Sequence, residues 1–129
     1  MEKKMEKKRI GVLTGGGDCA GLNSATKWVV KTALDDRLQK TRKIEYEVVG
    51  IRDGWKGLVL PEGDEDDPTT RVGTLTEEMV RTWDRYGGTM LGTSRTNPYD
   101  PKNNRSKIVL ENLERYDLDY IVAIGGEDT

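Results

Sequence analysis

The stretch from Arg9 to Asn23 constrains the fold more than any other part of the chain, because it joins three local signals. A short apolar run, Ile10 to Leu13, predicts a buried strand. The glycines Gly15–Gly17 interrupt this run, and a helical pattern begins directly after them. Such a turn is either a tight strand–helix connection or a phosphate cradle, since glycine N–H groups and a helix start can both contact an oxyanion. The local pattern leaves both interpretations open.

The composition excludes several classes of site. The 129 residues include no His and one Cys, Cys19, so they cannot form a His-assisted nucleophile, a His or Cys zinc site or an internal disulfide. Any metal would therefore be a hard cation held by carboxylates and phosphates, which indicates Mg²⁺. The net charge of −2 gives no overall field for nucleic acid or an anionic membrane. No apolar run approaches the roughly 18 residues of a membrane span, and a lone Cys is typical of the reducing cytoplasm.

The pattern of apolar residues predicts one α/β domain. Residues 1–8 are charged and tandemly repeated, which predicts a disordered tail, and residues 9–129 carry the periodic segments. Strands are predicted at residues 9–14, 45–51 and 119–124. Helices are predicted at residues 23–38, at residues 75–86 and from residue 103 or 104 to residue 116. Strands that alternate with helices and end in glycine loops predict a mainly parallel sheet covered by helices.

The helix boundaries give more detailed expectations. Asn23 or Ser24 is the expected N-cap of the first helix, and residues 39–43 are expected to form a loop after it. Thr74 or Thr76 is the expected cap of the second helix. The side chains expected to face inward from that helix are Met79, Val80 and Trp83.

Two further loops have alternative interpretations. Residues 52–58 form a glycine-rich loop at the end of the second strand, where α/β proteins place ligands. Trp55 in this loop either stacks on a ligand or covers the loop, and we favour the covering role. Residues 61–68 are acidic with Pro at each end, and a solvated loop is favoured over a calcium site because the calcium-loop spacing is not met.

Three glycine-containing loops are expected to converge, because parallel strands place their carboxyl ends on one edge of a sheet. These loops are Gly15–Gly17, Gly87–Arg95 and Gly125–Thr129. Backbone N–H groups at Gly16 and Gly17 would hold phosphate oxygens, and Arg95 would bind the transferring group. Glu127 and Asp128 could hold Mg²⁺, and Thr129 adds a donor. The alternatives are a surface ion pair for Arg95 and a solvated strand end for the two carboxylates.

Four motifs, in family order across nearly all of residues 9–129, resemble those of the 6-phosphofructokinases. They are Ile10-Gly-Val-Leu-Thr-Gly-Gly-Gly-Asp-Cys-Ala-Gly-Leu-Asn23, Gly50-Ile-Arg-Asp-Gly-Trp-Lys-Gly-Leu58, Gly87-Gly-Thr-Met-Leu-Gly-Thr-Ser-Arg95 and Ile124-Gly-Gly-Glu-Asp-Thr129. The resemblance implies the three-layer, Rossmann-like larger domain of that family. It also implies a glycolytic phosphoryl transfer from ATP or pyrophosphate to the 1-hydroxyl of fructose 6-phosphate, which gives fructose 1,6-bisphosphate.

The resemblance also implies roles for individual residues. Gly17 would contact the donor phosphate, Arg95 would bridge donor and transition state, and Glu127 stands where the family usually has a Mg²⁺-binding aspartate. At the position of Asp128, ATP-using members of the family carry glycine, whereas pyrophosphate-using members carry an acidic residue. The resemblance therefore favours pyrophosphate as the donor, with ATP as the alternative. A carboxylate there would repel the α-phosphate of ATP, unless a widened pocket tolerates it. Arg52 replaces a tyrosine that many ATP-dependent members have, which favours the same donor.

The family's Thr-Ile-Asp-Asn-Asp motif, which supplies the catalytic base, does not occur in these residues. We therefore expect residues 9–129 to be the N-terminal portion of the donor-binding domain, truncated before that motif, with little or no kinase activity alone. Two other classes stay open: an inactive phosphate- or nucleotide-binding module, and an interaction fragment that pairs with a separate remainder. By resemblance, the complete protein would be a homo-oligomer, either a dimer or a tetramer.

Overall fold

A four-stranded sheet forms the centre of the fold. The computed structural model describes residues 6–16, 21–61 and 71–126. The strands are β1 (Glu6–Gly15), β2 (Ile44–Ile51), β3 (Val72–Leu75) and β4 (Tyr120–Gly125), in the spatial order β3-β2-β1-β4. The central strand β1 is parallel to both β2 and β4, and β3 pairs antiparallel with β2.

Helices cover both faces of this sheet. They are α1 (Gly21–Ala33), α2 (Asp36–Arg42), α3 (Lys56–Val59), α4 (Glu77–Val80) and α5 (Ser106–Arg115), with a 3₁₀ turn at Trp83–Arg85. None of the helices in the described part of the chain is long and apolar enough to cross a membrane.

Alternation along the strands divides the core into two clusters, one on each face. One face joins Val12 and Val48 to helices α1 and α4, and its buried members are Val12, Val30, Ala33, Val48, Leu75, Val80 and Leu91. The opposite face joins β1 and β2 to helices α3 and α5, and its buried members are Leu13, Ile51, Leu58, Val59 and Val109. The predicted α/β fold with a mainly parallel sheet and three layers is therefore confirmed.

The predicted disordered tail at residues 1–8 is wrong for residues 6–8, because β1 begins at Glu6. Residues 6–8, which were expected to be disordered, pair with residues 44–46 at the start of β2. The partner strand supplies ladder hydrogen bonds that a charged composition does not reveal.

The first predicted helix is wrong in its boundaries. The structure has two helices where residues 23–38 predicted one, and α2 extends through most of the predicted loop at residues 39–43. The break lies at Asp35, whose Oδ1 accepts hydrogen bonds from the N–H groups of Arg37 and Leu38 and so caps α2. The predicted caps Asn23 and Ser24 lie inside α1, which begins at Gly21.

The second predicted helix, at residues 75–86, is reduced to α4 and the 3₁₀ turn. Thr76 caps α4, since its hydroxyl accepts a hydrogen bond from the N–H of Met79. Of the two expected caps, Thr74 and Thr76, the structure therefore has Thr76. Val80 is buried and Trp83 partly buried, but Met79 is 45% exposed, so its predicted inward orientation is wrong. The antiparallel strand β3, immediately before this helix, was not predicted.

The third predicted helix begins later than residue 103, at Ser106. The side-chain oxygen of Asn104 accepts hydrogen bonds from both the N–H and the hydroxyl of Ser106. Asn104 thus bonds the first residue of α5 from a position just outside the helix.

Candidate phosphate-binding site

The glycine loops at the two ends of the sequence meet at one edge of the sheet. In the parallel pairing of β1 with β4, Gly15 lies opposite Gly125, the last residue of its strand. Because both strands run in the same direction, Gly16 and Gly126 leave the sheet on the same side. Strand β2 ends at Ile51, opposite Leu13, so the turn that follows β2 reaches the same edge.

A cavity of about 1090 Å³ opens beside these strand ends. Gly16 contributes to its wall from the end of β1, and Ser94 and Arg95 contribute from the segment that precedes α5. Trp55 and Ile121 form part of the remaining wall, together with apolar side chains of α5. Arg95 is exposed, so its guanidinium is accessible to a solute in this cavity. A glycine turn and an arginine on one cavity are groups that bind phosphate oxygens.

The segment that carries Arg95 is attached to β1 through Thr14. The fully buried Thr14 hydroxyl donates to the carbonyl of Gly92 at 2.9 Å and lies 2.7 Å from the hydroxyl of Thr89. Thr14 is two residues before Gly16, so these bonds join the two walls of the cavity.

The same segment is attached to α1 through Asn23, which is 1% exposed. The side-chain Nδ2 donates to the carbonyl of Tyr86 at 3.0 Å, and Oδ1 accepts from the N–H of Met90 at 2.7 Å. The amide therefore closes the Gly87–Gly88 turn onto the helix that follows the glycine loop.

A third attachment is the turn after β2. Asp53 has a left-handed backbone with φ of 59°, and its N–H donates to the carbonyl of Leu91 at 2.8 Å. Its carboxylate accepts from Nε of the buried Arg71 at 3.0 Å. Gly54 follows with φ of +59°, and a Cβ there would lie 2.9 Å from the carbonyl oxygen of Thr14. The turn, the strand β1 and the Arg95 segment are thus packed closely at the backbone level.

Trp55 is only partly buried, and it contacts the core cluster of Leu13 and Ile51 while it contributes to the cavity wall. The packing against the core agrees with the covering role that the sequence favoured.

The sequence profile of one family, Phosphofructokinase, matches residues 9–129. The chain belongs to the phosphofructokinase family. It is 44% identical over 125 residues to a pyrophosphate–fructose 6-phosphate 1-phosphotransferase of Dictyoglomus thermophilum, and the match covers 97% of this chain and 31% of that protein. It is 40% identical over 120 residues to an ATP-dependent 6-phosphofructokinase of Aliivibrio fischeri, with coverage of 93% and 32%.

The fold agrees with solved phosphofructokinase structures. The phosphofructokinase of Pichia pastoris in the T-state superposes with a TM-score of 0.74 and 26% identity, over 98% of this chain and 13% of that one. The chain therefore spans about a third of the length of the two curated relatives and a smaller share of this structure.

Of the residues predicted for the phosphofructokinase site, Gly16 and Arg95 line the same cavity. Gly17, Glu127, Asp128 and Thr129 lie outside the described residues, as does most of the acidic segment 61–68. Among the residues that are described, no group of three or more His, Cys, Asp or Glu side chains could hold a metal ion.

Sequence reasoning missed the residues that hold the site together. Thr14, Asn23 and Asp53 are polar, and each contacts the segment at residues 86–92. For Asn23 a signal was available: it lies on the apolar face of α1 with Thr26, Val30 and Ala33, all of which are buried. A polar residue at a core position needs a hydrogen-bond partner, and this requirement predicts a tertiary contact.

Proposed function

We propose that this chain supplies the donor-phosphate side of a 6-phosphofructokinase, which transfers a phosphoryl group from pyrophosphate to the 1-hydroxyl of fructose 6-phosphate. The observation that carries this proposal is that Gly16 and Arg95 line one cavity at the edge where Gly15 pairs with Gly125. The product would be fructose 1,6-bisphosphate in a glycolytic, cytoplasmic enzyme, and the complete protein would be a homodimer or homotetramer.

The chemistry of the cavity fits a phosphoryl donor. Backbone N–H groups of the glycine turn, including that of Gly17 in the proposal, bind phosphate oxygens without a side chain in the way. The Arg95 guanidinium is a planar donor that can make two parallel bonds to one phosphoryl group. It would offset the negative charge that spreads over the equatorial oxygens during transfer. Trp55 and Ile121 form an apolar part of the cavity wall beside these groups.

Mg²⁺ is the metal that we propose for this site. The strand register supports a metal near the phosphates, because Gly125 lies beside Gly15 and the carboxylates of Glu127 and Asp128 follow within three positions. Carboxylate oxygens suit a hard cation, and we assign Glu127 as its ligand. When bound, Mg²⁺ would supply positive charge to the donor oxygens.

The choice of donor depends on Asp128 in this proposal. A carboxylate in the turn after β4 would carry charge where the α-phosphate of ATP must approach, whereas pyrophosphate has no such group. Pyrophosphate is named for the Dictyoglomus thermophilum relative, which supports this donor. ATP is the second candidate, because it is named for the Aliivibrio fischeri relative at 40% identity. The third candidate function is an inactive binding module or an interaction fragment.

The test is a donor comparison in the complete gene product. The wild-type protein should form fructose 1,6-bisphosphate from pyrophosphate with at least about tenfold higher kcat/KM than from ATP, since a like charge that must be desolvated costs a kcal/mol or more. Asp128→Gly should raise kcat/KM for ATP by about tenfold or more. It should leave kcat/KM for fructose 6-phosphate within about twofold of the wild-type value. Steady-state kinetics with each donor measures both.

The matched control is Asp117→Gly, which makes the same chemical change at an exposed position. Its backbone φ of 52° suits glycine, so the fold should tolerate this variant. It should keep the wild-type ratio of the two donors. If ATP use is unchanged in Asp128→Gly, the role of Asp128 is wrong, and if neither donor supports turnover, the kinase proposal itself fails.

A further inference from the structure

Asn23 lies on the buried face of α1, in the first turn of the helix. It is 1% exposed, and its neighbours on that face include the fully buried Val30 and the nearly buried Leu22. Both ends of its amide are used, since Nδ2 donates to Tyr86 and Oδ1 accepts from Met90. A buried amide is retained at little cost only while both of these bonds are made.

The two bonds act on opposite sides of a turn that has little packing of its own. Gly87 is exposed, Gly88 has φ of +77°, and a Cβ on Gly87 would meet no atom within 4 Å. The Asn23 amide thus supplies contacts that the turn itself lacks. Five residues after Met90 along the same segment lies Arg95, on the cavity wall.

Asn23 itself belongs to α1, and this helix begins at Gly21, shortly after the glycine turn. Asn23 therefore connects the element that follows Gly16 to the segment that carries Arg95. A shift between these two elements would change the spacing of the phosphate-binding groups, and misplacement by about 1 Å can reduce a rate by about 100-fold.

We propose that Asn23 is a positioning residue that fixes Arg95 relative to the glycine turn through its bonds to Tyr86 and Met90. This role rests on the proposed function for its effect on catalysis. The link between α1 and the Arg95 segment does not rest on that function, because it consists of the two hydrogen bonds and can be measured without turnover.

The first test is hydrogen exchange of the Met90 amide in the complete gene product. Asn23→Leu keeps the branched shape of the side chain and removes both bonds. The Met90 amide should exchange at least about tenfold faster in this variant, which corresponds to loss of one hydrogen bond. An unchanged exchange rate would overturn the proposal, whatever the activity of the protein.

The matched control is Thr26→Val on the same buried face. Thr26 is also 1% exposed, but its hydroxyl donates within the helix to the carbonyl of Leu22 instead of to the Arg95 segment. This variant should leave Met90 exchange and kcat within about twofold of wild type, although it also alters a buried polar group. Equal effects in the two variants would mean that Asn23 has only a structural role.

The second test is a double-mutant cycle with Arg95. Asn23→Leu and Arg95→Ala are each expected to lower kcat for pyrophosphate by about tenfold or more, with a smaller effect on the KM for fructose 6-phosphate. If Asn23 acts through Arg95, the double variant should be no slower than Arg95→Ala alone. Additive losses would overturn the positioning role.

A third variant covers the case in which Asn23→Leu fails to fold. Asn23→Asp keeps an acceptor for Met90 and loses the donor to Tyr86 while the introduced carboxyl is ionised. Protonation returns an O–H donor, so its kcat relative to wild type should recover as the pH is lowered, because burial raises the pKa of such a carboxyl. A pH-independent ratio would contradict the proposal.

If the wild-type protein lacks kinase activity, pyrophosphate binding by calorimetry replaces kcat in the same comparisons. Additive losses of affinity, or no binding at all, would then overturn it.

Discussion

Gly54 lies beside the cavity at a position where the backbone leaves little room for a side chain. Its φ of +59° is left-handed, and a Cβ would lie 2.9 Å from the backbone oxygen of Thr14. Gly54→Ala should therefore destabilise the protein by about 1–3 kcal/mol through backbone strain and this contact. Thermal unfolding of the complete gene product measures the effect as a lower Tm.

Gly73 provides the control for this substitution. It is exposed on β3, and a Cβ there would meet no atom within 4 Å. Gly73→Ala should leave the Tm unchanged or slightly higher, because alanine loses less backbone entropy on folding. A similar loss in both variants would show that the turn at Gly54 has no special constraint.

At the residue level, the sequence predicted the groups whose chemistry alone indicates a role. Gly16 and Arg95 were predicted because a glycine turn and an arginine both suit phosphate, and the structure places both on one cavity. Thr14 and Asn23 were missed because their roles depend on partners more than 60 positions away along the chain. No local pattern specifies such partners.

At the level of elements, strands were predicted better than helix boundaries. Each of the three parallel strands contains a short apolar run that is typical of a buried strand. By contrast, β3 is a four-residue strand at the edge of the sheet, too short for a clear alternation. The break between α1 and α2 was hidden because apolar periodicity continues to Leu38, whereas Asp35 stops the helix through its capping bonds.

The contact between α1 and the 3₁₀ turn depends on pH. Lys27 Nζ donates to Asp84 Oδ1 at 2.9 Å, and this hydrogen bond holds the pKa of the Asp84 carboxyl below its usual value of 3.8. A lowered folded pKa means that the stabilisation is present above the unfolded pKa and is lost as the pH falls through the folded one. Asp84→Asn should therefore lower the Tm slightly at pH 7, and the difference should vanish on acidification well below pH 3.8.

Lys27→Met tests the same pair from the other side. It should reproduce the small loss at pH 7, and the double variant should lose no more than either single one. A difference between Asp84→Asn and wild type that persists in acid would mean that the ion pair is not its cause.

At the level of the whole molecule, β4 forms one edge of the four-stranded sheet in the described part of the chain. Among the described residues β4 pairs only with β1, and Tyr120 on it is 50% exposed. Parallel strands are usually covered on both faces, and an unpaired apolar edge is a template for another strand. The 129-residue chain by itself should therefore self-associate at micromolar concentration, as sedimentation or light scattering would show.

Ala123→Lys provides the comparison for this edge. Ala123 is an exposed position on β4, and a charge on an edge strand opposes pairing with a second chain. The variant should shift the population towards monomer. A monomeric wild-type chain over the same concentration range would contradict the expectation.

The pairing of β1 with β4 is also expected to set when the cavity at the strand ends can form during biosynthesis. Arg9 and Asp119, which are 110 positions apart, exchange hydrogen bonds at the start of this pairing. Contacts between such distant segments form slowly, because a long loop must close before any pairing energy is gained. A nascent chain on the ribosome would have Gly16 long before it has Gly125 beside it. The cavity is therefore expected to appear late in folding, after the helices around α1 have formed.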